Sequence, residues 1–356
     1  MDHAARRARL RDRLPEVGID ALLLTRGVNV RYLTGFTGSN GQLVLTEDGA
    51  VFFTDSRYEE QSAREIPDLP REIYLGSFAA AFGGTCRDAK LRRVGFEAAG
   101  VTYKTYGELS EALEGELTPV EDEVERLRWA KDGEEIRLLE RAQELTDEGF
   151  DRLTGKLSEG ITERAAAFEL ELAMREAGAE RVAFETIVAF GENAAEPHHR
   201  PTDRELRRGD LVKLDFGCVV DGYHSDMTRT VAFGDPGPEL RDVHALVLRA
   251  QATGVEAVRA GVSGGQADEA ARAVIREAGF GERFGHSLGH GVGLEIHEGP
   301  TLRSESSDVL PPGAVVTVEP GVYLPGRGGV RIEDMVVVQD DGARPLPRTT
   351  HELVVL

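Results

Sequence analysis

Two stretches of this chain are versions of one pattern. Leu211-Val212-Lys213-Leu214-Asp215-Phe216-Gly217 and Val315-Val316-Thr317-Val318-Glu319-Pro320-Gly321 are each an apolar strand ending in a carboxylate, with glycine two residues later. Each returns through a glycine-containing turn to a second carboxylate that heads another apolar strand. Asp226 precedes Met227-Thr228-Arg229-Thr230-Val231, and Glu333 precedes Met335-Val336-Val337-Val338. The echo, about a hundred residues apart, predicts a duplicated half-domain whose four acids meet across a pseudo-two-fold axis. Any one of these acids alone reads best as an exposed strand end. That reading weakens when all four occupy matched positions on strands that otherwise read as buried. Four carboxylates sharing a cavity repel one another and lose hydration, so something must compensate them. Two divalent cations neutralise four negative charges, and oxygen ligands suit hard or borderline metals.

The remaining composition narrows the class. The 356 residues suffice for two domains with cores of their own. The formal charge of −21 argues against a partner that is itself polyanionic, whether nucleic acid or anionic lipid. No stretch approaches the ~20 apolar residues that span a bilayer, and Met1 to Pro15 alternates Ala with Arg and Asp instead of building a signal-peptide core. Two cysteines, Cys86 and Cys218, make no disulfide framework. The expectation is a reduced, cytoplasmic protein.

The N-terminal part alternates strands and helices, the pattern of a helix-covered sheet. Asp2 to Leu14 reads as a helix ended by Pro15 and Gly18. Ala21–Thr25 reads as a buried strand, and Gln42–Thr46 with Val51–Thr54 reads as a hairpin around Asp48-Gly49. Arg57–Glu65 and Tyr106–Leu113 look helical, and Arg93–Glu97 looks extended. A boundary falls near Pro119 to Trp129, where Glu121 to Glu125 is acidic, so the division is 1–125 and 126–356. Beyond it, four amphipathic helices are expected: Asp132–Leu153, Thr162–Ala177, Leu240–Val258 and Ala267–Ala278. Thr162 is placed to cap the second.

Histidines are concentrated too. Seven of nine lie between His198 and His297, and His286, His290 and His297 share one glycine-rich run. Gly289, Gly291 and Gly293 make a helix improbable, so His286 and His290 are not a helical zinc pair. An extended strand passing close to a ligand would aim His290 at the acids.

These residues carry a resemblance. Asp215-Phe216-Gly217, Ser225-Asp226-Met227-Thr228-Arg229-Thr230, Gly289-His290-Gly291 through His297-Glu298, Thr317-Val318-Glu319-Pro320-Gly321 and Gly329-Val330-Arg331-Ile332-Glu333-Asp334 are similar to the ordered motifs of the pita-bread metallopeptidases. Within them the likeness is to the Xaa-Pro peptidases, that is aminopeptidase P and Xaa-Pro dipeptidase (prolidase). It covers about Trp129 to Leu356. Asn29-Val30-Arg31-Tyr32-Leu33-Thr34-Gly35-Phe36 and Thr54-Asp55-Ser56-Arg57-Tyr58 look, more loosely, like the creatinase-type N-terminal domain. The fold expected is therefore α+β, a C-terminal pita-bread domain preceded by a smaller α/β creatinase-type domain. Methionine aminopeptidases share the metal core but usually lack such a domain.

The resemblance implies roles. Asp215 would chelate one ion, Asp226 and Glu333 would bridge two, and His290 with Glu319 would complete the second. The ions are expected to be Mn, with Co, Zn or Fe allowed by the ligand types. A bridging water, acidified to hydroxide, would attack the scissile carbonyl, with Glu319 shuttling its proton to the leaving nitrogen. His198 and His297 would contact substrate or stabilise the intermediate. His286 and Arg331 would orient substrate or ligands, Arg331 by clamping a carboxylate. His199 and His224 are expected to be bystanders. The function implied is cleavage between an N-terminal residue and a following proline, in a homodimer whose N-terminal domain caps the partner's site. A dipeptidase restricted to Xaa-Pro is the alternative, and a non-catalytic binding protein on the same fold is a third reading. Proline also makes chemical sense, since the bond before it has no N–H for other proteases to grip.

Two further signals are set aside. Gly261-Val262-Ser263-Gly264-Gly265 matches the serine-hydrolase elbow, but a helix precedes it, so Ser263 reads as a cap. Cys218, three residues after Asp215, reads as a small buried hydrophobe.

Overall fold

The computed structural model describes all 356 residues. Contacts divide them into two units, Met1–Arg128 and Trp129–Leu356.

In the first unit the chain runs α1 (His3–Arg11), α2 (Leu14–Val17), β1 (Ala21–Leu24), α3 (Gly27–Thr34), β2 (Gln42–Thr46), β3 (Ala50–Asp55), α4 (Glu59–Glu65), β4 (Arg71–Tyr74), α5 (Phe78–Asp88), β5 (Arg93–Glu97), α6 (Tyr103–Ala112), β6 (Glu116–Val120) and α7 (Glu123–Trp129). The six strands form one sheet in the order β4-β3-β2-β1-β5-β6. The β1–β2 and β2–β3 pairs are antiparallel, and the others are parallel. Leu23, Val44, Phe53, Phe82, Val94 and Leu109 fill one face of its core. The single helix expected over Asp2–Leu14 is instead two. Its first part ends at Arg11, and Pro15 opens a second short helix, where its missing N–H costs nothing; Gly18, at φ 76°, then ends it. Glu123–Trp129, which follows the start of the acidic run, is helical. Phe78–Asp88, not foreseen, is helical because Phe78, Phe82 and Cys86 recur on one face.

The second unit contains α8 (Gly133–Thr154), α9 (Glu163–Ala177), β7 (Arg181–Val182), β8 (Ile187–Phe190), β9 (Asp210–Phe216), β10 (Cys218–Val220), β11 (Tyr223–His224), β12 (Met227–Phe233), α10 (Pro238–Ala257), α11 (Gly264–Glu277), β13 (Gly289–Gly291), β14 (Glu298–Leu302), β15 (Val315–Val318), β16 (Gly321–Leu324), β17 (Gly328–Arg331), β18 (Asp334–Gln339) and β19 (Gly342–Pro345). Asp132 caps α8 in a reciprocal box with Glu135, and Thr162 caps α9. Ser263 caps α11 with Gln266, so it is a helix signal and not a nucleophile.

The sequence echo has a physical counterpart. Helices α8 and α9 pack with β8, β9 and β12 in one apolar cluster that includes Leu145, Leu170, Val188, Val212 and Val231. Helices α10 and α11 pack with β15 and β18 in another that includes Val247, Ala271, Val316, Val318 and Val336. The antiparallel pair β9–β12 sets Asp215 opposite Thr228. The pair β15–β18 sets Val318 opposite Asp334, which brings Glu319 and Glu333 together at its end. The two hairpins are stitched by the Glu333 N–H donating to the Thr228 carbonyl (3.1 Å) and the Thr230 hydroxyl donating to the Arg331 carbonyl (3.0 Å).

Between the layers, His244 on α10 is buried and its Nε2 has no partner. Burial holds its pKa down at about 4, despite a hydrogen bond to the Thr230 backbone. Above pH ~6.5 the ring is neutral whether folded or not. As pH falls, the unfolded chain takes a proton that the folded chain refuses, so stability drops, by about 2 kcal/mol on reaching pH 5. His244→Asn keeps a donor near Nδ1 but does not titrate. Urea unfolding of both proteins at pH 7.5 and pH 5 should show the wild type losing about 2 kcal/mol more than the variant; equal losses refute the assignment.

Candidate metal centre

The glycines that frame the site are there because the backbone comes too close for a side chain. A Cβ on Gly289 would lie 2.0 Å from the Thr317 carbonyl oxygen, and one on Gly217 would lie 1.9 Å from that of Ser225. This close packing seats β13 against β15. The His290 N–H donates to Thr317 Oγ1 (3.1 Å) and the Glu319 N–H to the Leu288 carbonyl (2.8 Å). The run holding three histidines is thus extended at His290, as expected from its glycines.

His290 Nδ1–H donates to the Gly291 carbonyl (3.0 Å), which leaves Nε2 free as a donor of electrons to a metal. That nitrogen lies 3.6 Å from Asp226 Oδ2 and 3.6 Å from Glu319 Oε1. One ligand atom from each of Asp226, His290 and Glu333 falls within 4.8 Å of the others. Burial is the first cause that pushes the carboxyls of Asp226, Glu319 and Glu333 above their ordinary range; repulsion is the second, from Glu333 on Asp226 and Glu319 and from Asp215 on Glu333. Glu333 reaches about 8. Burial also lowers His290, to about 4, which keeps its imidazole neutral and fit for ligation. Crowded acids beside a neutral imidazole fit divalent cations by both donor type and charge.

Arg331 is the hub behind them, 3 % exposed. Its Nη2 pairs with Asp215, its Nε donates to Thr228 Oγ1 (3.0 Å), and its Nη1 donates to the Tyr323 hydroxyl (2.8 Å) and the Pro197 carbonyl (3.2 Å). The Thr228 hydroxyl in turn donates to Glu333 Oε2 (2.6 Å). His286 Nδ1–H donates to the Ser287 carbonyl (2.8 Å), so its Nε2 accepts from Tyr323 (2.8 Å). Burial lowers His286 to about 3 and raises Tyr323 to about 12, so both stay neutral across the working range. Under Glu333, Asp334 is ion-paired to Arg229 at 2.8 Å, both fully buried.

A cavity of about 1030 Å³ opens above this cluster. All nine residues singled out in the sequence line it: His198, Asp215, Asp226, His286, His290, His297, Glu319, Arg331 and Glu333. His198 and His297 are exposed in its walls. His297 sits edge-to-face on His290, with ring centroids 4.4 Å apart.

His199 also borders the cavity, but its ring nitrogens are taken up by Glu196 (2.7 Å) and Glu163 (2.9 Å). It holds the loop that presents His198. His224 turns to the Gly293 carbonyl (3.1 Å). Cys218 is buried against the Ala142 carbonyl, and burial raises its thiol.

Sequence reasoning missed Tyr323 and Lys213. Lys213 is fully buried; its ammonium donates to the carbonyls of Glu196 and Pro197 and lies 5.2 Å from the Tyr323 ring. A signal existed, because a lysine in the middle of an apolar strand asks for a buried partner. Tyr323 carries no such mark, since tyrosines are common in strands.

Comparison with known proteins agrees with this geometry. Residues 137–340 match the model for metallopeptidase family M24, and residues 6–129 match the creatinase/prolidase N-terminal domain. The chain belongs to metallopeptidase family M24: it is a metal-dependent peptidase with a creatinase-type N-terminal domain and a pita-bread domain. It is 43 % identical to an uncharacterized peptidase of Bacillus subtilis, YqhT, over 98 % of this chain and 99 % of that one. A solved Xaa-Pro dipeptidase from Bacillus anthracis superposes with a TM-score of 0.98 at 39 % identity, covering 99 % of this chain and all of that one. An X-Pro aminopeptidase from Thermotoga maritima superposes at 0.91 and 37 % identity, again covering 99 % of this chain and all of the other. None of the helices is long and apolar enough to cross a membrane.

Proposed function

We propose that this protein hydrolyses the peptide bond between an N-terminal residue and a following proline, as an Xaa-Pro aminopeptidase. The carrying observation is the ring of buried acids with neutral His290 at the floor of an open cavity. Asp215, Asp226, His290, Glu319 and Glu333 would hold two divalent cations, manganese foremost. When bound, such a pair acidifies water and polarises a carbonyl.

The chain's own groups supply the rest. Glu319 is half-buried, with its carboxyl raised by burial and by Glu333, which suits a group that takes a proton from water and hands it to the proline nitrogen. That nitrogen has no N–H, so a site that relies on protonating it loses nothing to proline. His198 and His297 face the cavity from opposite chain segments and would donate to the carbonyl oxygen as negative charge develops. Arg331 fixes Asp215, Thr228 and the Pro197 carbonyl, holding the acids and the His198 loop in one frame. The negative floor suits a free ammonium terminus, which fixes the cut after residue one.

Strict dipeptidase action is the second reading, favoured by the Xaa-Pro dipeptidase of Bacillus anthracis. We assign the domains as creatinase-like 1–125 and catalytic 126–356, in a homodimer. The two free, buried cysteines suit a reducing cytoplasm.

Manganese-loaded protein should cleave Ala-Pro-Leu and leave Ala-Ala-Leu intact; chelation should abolish cleavage and manganese restore it. Equal turnover of both peptides, or turnover indifferent to chelator, refutes the proposal. Cleavage of Ala-Pro without Ala-Pro-Leu selects the dipeptidase reading.

A further inference from the structure

A fully buried cation in the second unit has no carboxylate paired with it. Lys213 lies in the middle of β9, flanked by Ala189 of β8 and Thr230 of β12. Alternation along the strand turns Val212 and Leu214 into the apolar cluster under α8 and α9, and leaves Lys213 on the opposite face with Asp215. The Lys213 ammonium donates to the Glu196 carbonyl and, at 3.4 Å, to the Pro197 carbonyl. Burying a cation against backbone carbonyls alone costs hydration that an uncharged methionine in the same place would not lose. Packing therefore gives no reason for a lysine at this position. The segment it grips does.

That segment presents His198. After it in the chain, the His199 ring is held by Glu163 at 2.9 Å and by Glu196 at 2.7 Å. Before it, the Pro197 carbonyl also accepts from Arg331 Nη1 at 3.2 Å, and the Ala194 carbonyl sits so close to β17 that a Cβ on Gly329 would be 2.3 Å from it. The His198 ring stands exposed between these anchors and lines the cavity, whereas Lys213 does not line it. We propose that Lys213 is a positioning residue: by holding the Glu196 and Pro197 carbonyls, it sets where His198 stands relative to Asp215. The proposal rests on the role given above to His198, donation to the substrate carbonyl oxygen. Lys213 and Asp215 are two places apart on one face of one strand, so their separation is fixed by the strand itself. The loop anchor and the floor of the site are thereby carried on a single rigid element. Such precision matters, because a displacement of about 1 Å in a group that serves the reacting atoms costs about 100-fold in rate.

The test is a double-mutant cycle on the full-length, manganese-loaded protein, with Ala-Pro-Leu and Ala-Pro as substrates. It compares the wild type, Lys213→Met, His198→Ala and the double variant. Lys213→Met should lower kcat by about 10–100-fold and leave KM within about twofold, the split expected when only the transition state loses an interaction. Its metal content and circular dichroism should match the wild type. In the His198→Ala background the same substitution should lower kcat by less than about threefold, because the group it positions is already gone. Lys213→Gln keeps donor hydrogens on a stem one bond shorter and should recover part of kcat; it takes the place of Lys213→Met in the cycle if the methionine variant does not fold. An unchanged kcat, an equal loss in both backgrounds or a loss of bound metal overturns the proposal. Failure of both lysine variants to fold also overturns it, since the role is then structural only. If His198→Ala turns over like the wild type, the role of His198 falls and the proposal with it, while the Xaa-Pro assignment stands. If the wild type cuts neither peptide, that assignment falls as well.

Discussion

Replacing Asp226 with alanine should lower kcat/KM on Ala-Pro-Leu by three or more orders of magnitude, about 4 kcal/mol of transition-state stabilisation. Asp226 lies 3.6 Å from His290 and within 4.8 Å of Glu333, where it would serve as a metal ligand. The variant should also bind fewer than two metal equivalents after mild dialysis. Stability should move in the opposite direction. Without cations, Asp226 is a buried acid repelled by Glu333, Asp215 and Glu319. Its removal relieves that repulsion, and chelated Asp226→Ala should melt at or above the chelated wild type. Addition of manganese should reverse the order, because cations stabilise the protein whose ligands are complete. Near-normal turnover, or a melting order that manganese does not reverse, would refute the ligand assignment.

Arg331→Met should produce the second-largest loss, in both stability and rate. Its guanidinium serves Asp215, Thr228, Tyr323 and the Pro197 carbonyl at once. Removing one partner of a buried ion pair costs about 3–5 kcal/mol, and loosening a group that orients ligands costs about 10–100-fold in activity or metal affinity. Arg331→Lys should recover part of the stability and little of the rate. An ammonium supplies the charge but not the planar fork that reaches a carboxylate, a hydroxyl and a carbonyl together. Urea unfolding and steady-state kinetics on the same preparations measure both effects. A lysine variant as active as the wild type would show that charge alone is needed.

The parts of the site legible in the sequence were those whose chemistry is improbable elsewhere. An acid at the end of an apolar strand is noticeable once, and compelling when four such acids occur in matched hairpins. Gly289, Gly291 and Gly293 announced an extended strand because a helix tolerates them poorly. Helices α8 and α9 were readable from their caps and stripes, since Asp132 and Thr162 mark a start wherever the chain is placed. Pro15 misled because proline ends a helix and also begins one, and local sequence does not say which.

The partners of Tyr323, Lys213 and His199 were beyond reach, although the lysine itself was conspicuous in its apolar strand. Each matters through contacts with residues far away in the chain: Tyr323 with His286, Lys213 with the Glu196 carbonyl, and His199 with Glu163.

The sequence alone determined which acids and histidines are candidates for the site, the paired hairpins that carry the acids and the chemistry such residues support, because residue type and strand period are local properties. The tertiary structure decided which nitrogen of His290 is free and which guanidinium restrains Asp215. Those depend on which surfaces meet, and burial and repulsion acquire their magnitudes only when distant segments share one cavity.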